Sequence, residues 1–168
     1  MGSARALAYS FKLLLLSSCN LGGLLDLDSH SDIAFMSGVK LRDWIINKNI
    51  SPVELTKIYL ERIEEYNPIL NAFLTVCDET AISEAKLAES AVMRGERLGL
   101  LHGLPIALKD LTQTGGIRTT RGSLIFENFI PRTDEPIVQR LRDSGAIIIG
   151  KTNTPEFGHR GTTENLLS

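Results

Sequence analysis

Lys109 stands where an apolar run, Leu104 to Leu108, ends, and Asp110 follows it. A lysine at the end of a strand is either a surface charge at a sheet edge or an amine tuned for catalysis by its surroundings. On composition alone the surface charge is the stronger reading. Asp110 reads as a local ion pair or, preferably, an anchor for the loop that follows. That loop carries Gly115, Gly116 and Gly122 around a Thr-Thr-Arg segment. Glycines let a backbone approach a ligand closely, but without context this reads as an ordinary surface loop. Arg118 and Arg121 could hold an anion, yet loop arginines are usually solvated. Gly145 to Thr152 spells the phosphate-loop pattern G-x-x-x-x-G-K-[ST]. A working phosphate loop follows a strand and opens a helix. Here the variable positions are Ala-Ile-Ile-Ile, which want to be the strand itself, and Thr152-Asn-Thr-Pro155 does not continue as a helix. Nucleotide binding is therefore not expected.

His30, His102 and His159 are far apart and lack metal-ligand spacing, so no metal site is expected. Cys19 and Cys77 form no C-x-x-C pair, which fits a reducing compartment and gives neither a disulfide framework nor a zinc site. Of the 168 residues 43% are hydrophobic and 23% charged, enough for a packed core. A net charge of −2 argues against a nucleic-acid footprint.

The elements that would position Lys109 follow from periodicity. Residues 1–32 read as a leader, expected to be disordered, with no acidic residue before Asp26. Lys12 interrupts its apolar run, which falls short of the roughly 7–15 apolar residues of a signal peptide. Leu16-Ser-Ser-Cys19 looks like a lipoprotein cleavage box, so export or lipid anchoring through residues 1–19 is the alternative to a cytoplasmic protein. Ala6 stands where myristoylation wants Ser or Thr. No run approaches the roughly 18 apolar residues of a membrane span. From Ile33 the pattern is globular. Val39 to Asn47 predicts a short helix. Ser51-Pro-Val-Glu54 is a capping box for a second, burying Leu55, Ile58, Tyr59, Ile63 and Tyr66 and stopped at Asn67-Pro68. Ile69 to Cys77 is apolar and of open type. Asp78 can cap a third helix carrying Ala81, Ala85 and Ala88 and ending near Gly95. A buried strand over Pro105–Leu111, a helix capped by Thr133 or Asp134, and an apolar strand over Ala146–Ile149 then form a parallel unit covered on both faces. The fold class is α/β.

The ordered set of motifs resembles the amidase signature family: Leu101-His-Gly-Leu-Pro-Ile-Ala-Leu-Lys109-Asp, Thr-Thr-Arg-Gly-Ser123, and Ala146-Ile-Ile-Ile-Gly-Lys-Thr-Asn-Thr-Pro-Glu-Phe-Gly158. Ser51-Pro-Val-Glu-Leu55 and Asn71-Ala-Phe73 look like its N-terminal helical region. The resemblance covers residues 32–168 and implies N-terminal helices followed by the start of a larger mixed sheet, incomplete here. Residues 33–168 would then be the N-terminal part of an amidase-signature domain. It further implies hydrolysis of carboxamide C–N bonds in a small-molecule substrate by a Ser–cisSer–Lys triad. Lys109 matches the lysine base through Pro-x-x-x-Lys-Asp. Phe157 and Gly158 match a segment beside the substrate channel. Ser123 matches a loop position and neither catalytic serine. No cofactor is implied. Alternatives are the glutaminase (A) subunit of a tRNA-dependent amidotransferase, or a non-catalytic remnant that binds a partner. The family's Gly-Gly-Ser-Ser-Gly-Gly motif, with both catalytic serines, does not occur in these residues. The 168 residues alone are thus expected to be inactive and to expose apolar sheet edges.

Overall fold

The structure, a computed structural model, describes residues 30–167. The leader expected over residues 1–32 lies outside them, except for its last three residues, where the first helix begins. The element order is α1 (His30–Ala34), α2 (Gly38–Ile46), α3 (Pro52–Leu70), β1 (Phe73–Val76), α4 (Asp78–Arg94), β2 (Pro105–Lys109), α5 (Pro136–Asp143) and β3 (Ile147–Thr152).

Local chemistry sets the helix ends. Ser37 Oγ accepts from the Lys40 N–H, and Ser51 Oγ accepts from the Glu54 N–H at 3.0 Å, with Pro52 at the first helical position. α3 does not stop at Asn67-Pro68: it includes Pro68 and runs to Leu70, where Asn71 closes it in a left-handed conformation. Asn67 explains the overrun. Its side-chain amide donates to the Phe73 carbonyl at 3.1 Å and accepts from the Phe73 N–H at 2.7 Å. That pair of bonds fastens the last turn of α3 to the start of β1. Tyr66 is exposed, because α3 buries only its N-terminal half deeply: Leu55, Thr56 and Ile58. α4 is preceded by Cys77, not capped by Asp78, whose carboxylate instead accepts from the Glu79 N–H. It ends at Gly95 in the left-handed region. α5 is preceded by Glu135, which makes no capping bond to it. Asp134 and Glu135 turn away to accept from the Gly115 and Gln113 N–H groups.

The sheet has the order β1-β3-β2, with β1 antiparallel and β2 parallel to the central β3. The sheet is therefore mixed. β3 is buried along nearly its whole length, and its alternation divides the core. Ile147 and Ile149 pack on Ala81, Ala85 and Ala88 of α4. Ile148 packs with Leu108 against Val138 of α5. A third cluster, around Leu41, Ile45, Leu55, Ile58 and Leu104, joins α2 and α3 to the chain entering β2. The strand expected to be buried over Pro105–Leu111 is shorter and half-exposed. Among the described residues β2 has a neighbour on one side only, and of its five residues Leu108 alone is buried.

The alanine stripe sets how close α4 lies to the sheet. Ala85→Leu places three extra carbons against Ile147 and Ile149, and is expected to destabilise the fold by about 1–3 kcal/mol. Lys86→Leu, one residue on at an exposed position, should stay within about 0.5 kcal/mol. Paired denaturant melts of the two variants test this.

Candidate active site

In open α/β sheets ligands gather beyond the carboxyl ends of parallel strands. Here those ends are Lys109 on β2 and Thr152 on β3, paired in register. Lys109 is exposed, and among the described residues its amine makes no hydrogen bond or ion pair. Leu108 and Asp110, on either side of it, turn to the opposite face, where both are buried.

Asp110 is the anchor of the loop that follows. Its N–H continues the ladder by donating to the Thr152 carbonyl at 2.9 Å, and its own carbonyl accepts from the Arg121 N–H at 3.0 Å. Its Oδ2 accepts from both the N–H and the hydroxyl of Thr120, and the Thr120 oxygen in turn accepts from the Gly122 N–H. The loop is thus closed on its first residue. Gly122 has φ +69°, and a Cβ there would sit 2.6 Å from the Thr154 carbonyl oxygen. That contact brings the loop against the segment after β3. The Phe157 N–H donates to the Arg121 carbonyl, and the Ser123 hydroxyl donates to Glu156 Oε1 at 2.7 Å. Arg118 is not a solvated loop arginine. It donates to the carbonyls of Glu127 and Leu74 and to Thr75 Oγ1, tying the loop to β1.

Beneath the loop lies Lys151, fully buried. Its Nζ donates to the Thr112 carbonyl, to Thr114 Oγ1 at 3.1 Å and to Thr119 Oγ1 at 2.9 Å. Asp110 Oδ1 faces it at 3.7 Å, also fully buried. Thr114 Oγ1 also lies within hydrogen-bond distance of the Thr112 carbonyl, and Thr119 Oγ1 of the Ile117 carbonyl, so both hydroxyls have carbonyls to donate to and can face the amine as acceptors. Three acceptors around Nζ suit the three N–H bonds of an ammonium. Burial pushes the Lys151 ammonium below the ordinary lysine range, while the Asp110 carboxylate opposes that. The threonine cage and the carboxylate together hold the charge in place.

The two lysines thus have different chemistry. Lys151 is a committed donor, and Lys109 is an uncommitted amine at a strand end. Lys151 is fully buried, whereas Lys109 is exposed. Phe157 is half-exposed with φ +52° and packs edge-on against Phe126. Gly158, at φ +71°, lies against Leu111, two residues past Lys109; a Cβ on it would meet the Leu111 side chain at 2.8 Å. The predicted channel residue Gly158 is therefore brought to the loop that Lys109 begins. A groove of about 430 Å³ opens beside it, lined by Ser123, Glu156, His159 and Glu164 among others. None of Lys109, Phe157 and Gly158 is among its lining residues. Lys151 and its threonines are the part that sequence reasoning missed. The available signal was a lysine inside an otherwise apolar strand, with Thr112, Thr114, Thr119 and Thr120 clustered one loop away.

Among the described residues no group of histidine, cysteine or acidic side chains could hold a metal ion, and no helix is long and apolar enough to cross a membrane.

The comparisons with known proteins agree with one another. The family model described as Amidase matches residues 54–168. The glutamyl-tRNA(Gln) amidotransferase A subunit from Dehalococcoides mccartyi strain CBDB1 is 47% identical over 119 residues, which is 71% of this chain and 24% of that protein. Its counterpart from Trichodesmium erythraeum is 47% identical over 72% of this chain and 25% of its own length. Among solved structures, a bacterial aryl acylamidase of the amidase signature family superposes with a TM-score of 0.74 at 28% identity, covering 78% of this chain and 28% of that one. The native peptide amidase from Stenotrophomonas maltophilia gives 0.69 at 33% identity, covering 74% and 26%. The chain thus spans about a quarter of the length of the relatives it matches. With the family model matching residues 54–168, and a solved member of the amidase signature family superposing at a TM-score of 0.74, the chain belongs to the amidase family.

Proposed function

We propose that these residues are the lysine-bearing part of an amidase-signature hydrolase that cleaves carboxamide C–N bonds, with Lys109 as the base of a Ser–cisSer–Lys triad. The observation that carries this is the contrast between the two lysines. Lys151 is enclosed, its amine committed as a donor to three oxygens. Lys109 has an open amine at the carboxyl end of a parallel strand. In the proposed reaction the neutral Lys109 amine accepts the proton of a bridging serine, which takes the proton of a nucleophilic serine. The nucleophile attacks the amide carbonyl, the proton held by Lys109 returns through the bridging serine to the nitrogen, which leaves as ammonia or an amine, and water attacks the acyl-enzyme to give the carboxylic acid and restore the serine hydroxyl. Covering Lys109 would be the task of the serine-bearing part of the fold, since burial disfavours the ammonium. Phe157 and Gly158 would border the substrate channel, Gly158 through its contact with Leu111. No cofactor enters this chemistry.

A second reading has its own support. The amidotransferase A subunits are 40–48% identical to this chain, against 28–33% for the solved amidases. On that reading the amide is a glutamine side chain, and the released ammonia passes to a partner enzyme.

The Gly-Gly-Ser-Ser-Gly-Gly motif does not occur among the 168 residues. Purified chain 1–168 is therefore expected to show no amidase or glutaminase activity above buffer, and serine-dependent hydrolysis by it would overturn the assignment. Reading the encoding DNA past the Ser168 codon tests the same proposal from another side, with a continuing frame into Gly-Gly-Ser-Ser-Gly-Gly expected. In a polypeptide carrying that motif, Lys109→Met should lower kcat by about 10³-fold or more. Lys151→Met should not reproduce a loss of that size through proton transfer. An active Lys109→Met variant would remove Lys109 from the mechanism.

A further inference from the structure

We propose that Lys151 is a positioning residue: its buried ammonium, through Thr112, Thr114, Thr119 and Asp110, fixes the loop of residues 110–122 and so sets the backbone that presents Lys109. The importance of Lys109 rests on the function proposed above; the positioning itself does not.

The sheet register shows why Lys151 reaches this loop at all. Ile106 of β2 pairs with Ile148, but Ala107 pairs with Gly150, so β3 carries one extra residue across the pair. Such a bulge re-aims the side chains beyond it. Unbulged alternation would send Lys151 to the α4 face, with Ile147 and Ile149. With the bulge, Lys151 pairs with Leu108 and lies on the α5 face, beside Asp110 and under the loop. Lys109 lies between Leu108 and Asp110 and faces the other way.

The connections from Lys151 to Lys109 are short. The Thr112 carbonyl that accepts from Nζ belongs to the residue whose N–H donates to the Lys109 carbonyl at 2.9 Å. Asp110, bonded directly to Lys109 in the chain, faces the ammonium with one oxygen. The other oxygen holds Thr120. Asp110 Oδ1 is buried and has no hydrogen-bond partner, so the Lys151 charge is what compensates it. Thr119 Oγ1 and Thr114 Oγ1 carry the same ammonium into the far side of the loop. One charged group therefore holds both ends of the segment that leaves Lys109.

The test separates this from a packing role. Thr119→Val keeps the shape of the side chain and removes the acceptor, whereas Thr119→Ser keeps the acceptor and removes a methyl group. Residue-resolved amide hydrogen exchange and ¹H–¹⁵N spectra of the chain are read for each. For Thr119→Val, the amides of Thr112, Thr120 and Arg121 should exchange about tenfold faster and the Lys109 amide resonance should move. Amides in the centre of α4 should stay within about twofold of the unaltered chain. Thr119→Ser should match the unaltered chain. Lys151→Met should show the same local pattern with a larger amplitude. The proposal is overturned if Thr119→Val behaves as the unaltered chain, if the serine variant loosens the loop as much as the valine variant, or if α4 exchanges in step with the loop. Should Lys151→Met fail to fold, the two Thr119 variants decide alone. None of these readings depends on amidase activity, so an active Lys109→Met enzyme would remove the function while leaving the positioning intact.

Discussion

A buried ammonium must replace every bond it made with water, and the region around Lys151 is organised by that requirement. The idealised cost of moving such a charge into a medium of low dielectric is of order 20 kcal/mol, and several kcal/mol remain after relaxation. A single carboxylate at 3.7 Å would not offset this by itself. Two hydroxyls and a carbonyl complete the shell, and all three come from one loop. The loop cannot leave without stranding the charge. Among the described residues, every hydrogen bond of that charge runs to this loop. Loop and strand are therefore held by mutual need more than by apolar contact.

That constraint spreads outward through bonds of ordinary strength. Asp110 closes the loop on itself through Thr120. Gly122 lets it approach the Thr154 carbonyl more closely than any side chain would allow. Arg118 fastens its outer side to β1, the antiparallel strand across β3. Gln113 and Gly115 fasten it to Glu135 and Asp134, at the start of α5. Asp134 also receives Arg142, which bridges to Glu84 of α4. The loop is thus tied to β1, to β3 and to the start of α5, and through Asp134 and Arg142 to α4. Lys109 is the residue at its origin whose amine all these bonds leave unused, and a strand end held so firmly suits a group that must meet its partners at one geometry.

Much of this was legible in the residues, for reasons that differ by element. Ser51 and Pro52 announce a helix start, because the cap is local chemistry and needs no tertiary partner. Ala81, Ala85 and Ala88 announce a close contact because small residues at helical spacing have few other uses. Pro68 misled, since the pair of hydrogen bonds between Asn67 and Phe73 holds the last turn of α3, and it joins residues six apart through a turn that propensity does not describe. β2 looked buried because its residues are apolar, but apolar composition does not say whether a strand has one neighbour or two. Lys109 was singled out through its motif, and its exposure agrees with the surface charge that composition favoured.

Lys151 was in view and given no role, for an instructive reason. The string Gly145 to Thr152 satisfies the spelling of a phosphate loop, yet each letter here has a different physical task. Gly145 ends α5 at φ +86°. The four apolar residues are core and strand. Gly150 is required because a Cβ would lie 2.4 Å from the Thr75 carbonyl oxygen, where β1 crosses the bulged strand. The lysine then finds its anionic and carbonyl oxygens within the chain, where a phosphate loop would take them from a nucleotide. A pattern of residue types fixes which atoms are present, but the bulge decides which face they meet. In this chain it turned a lysine with the spelling of a ligand site into the internal cation on which the neighbouring loop is built.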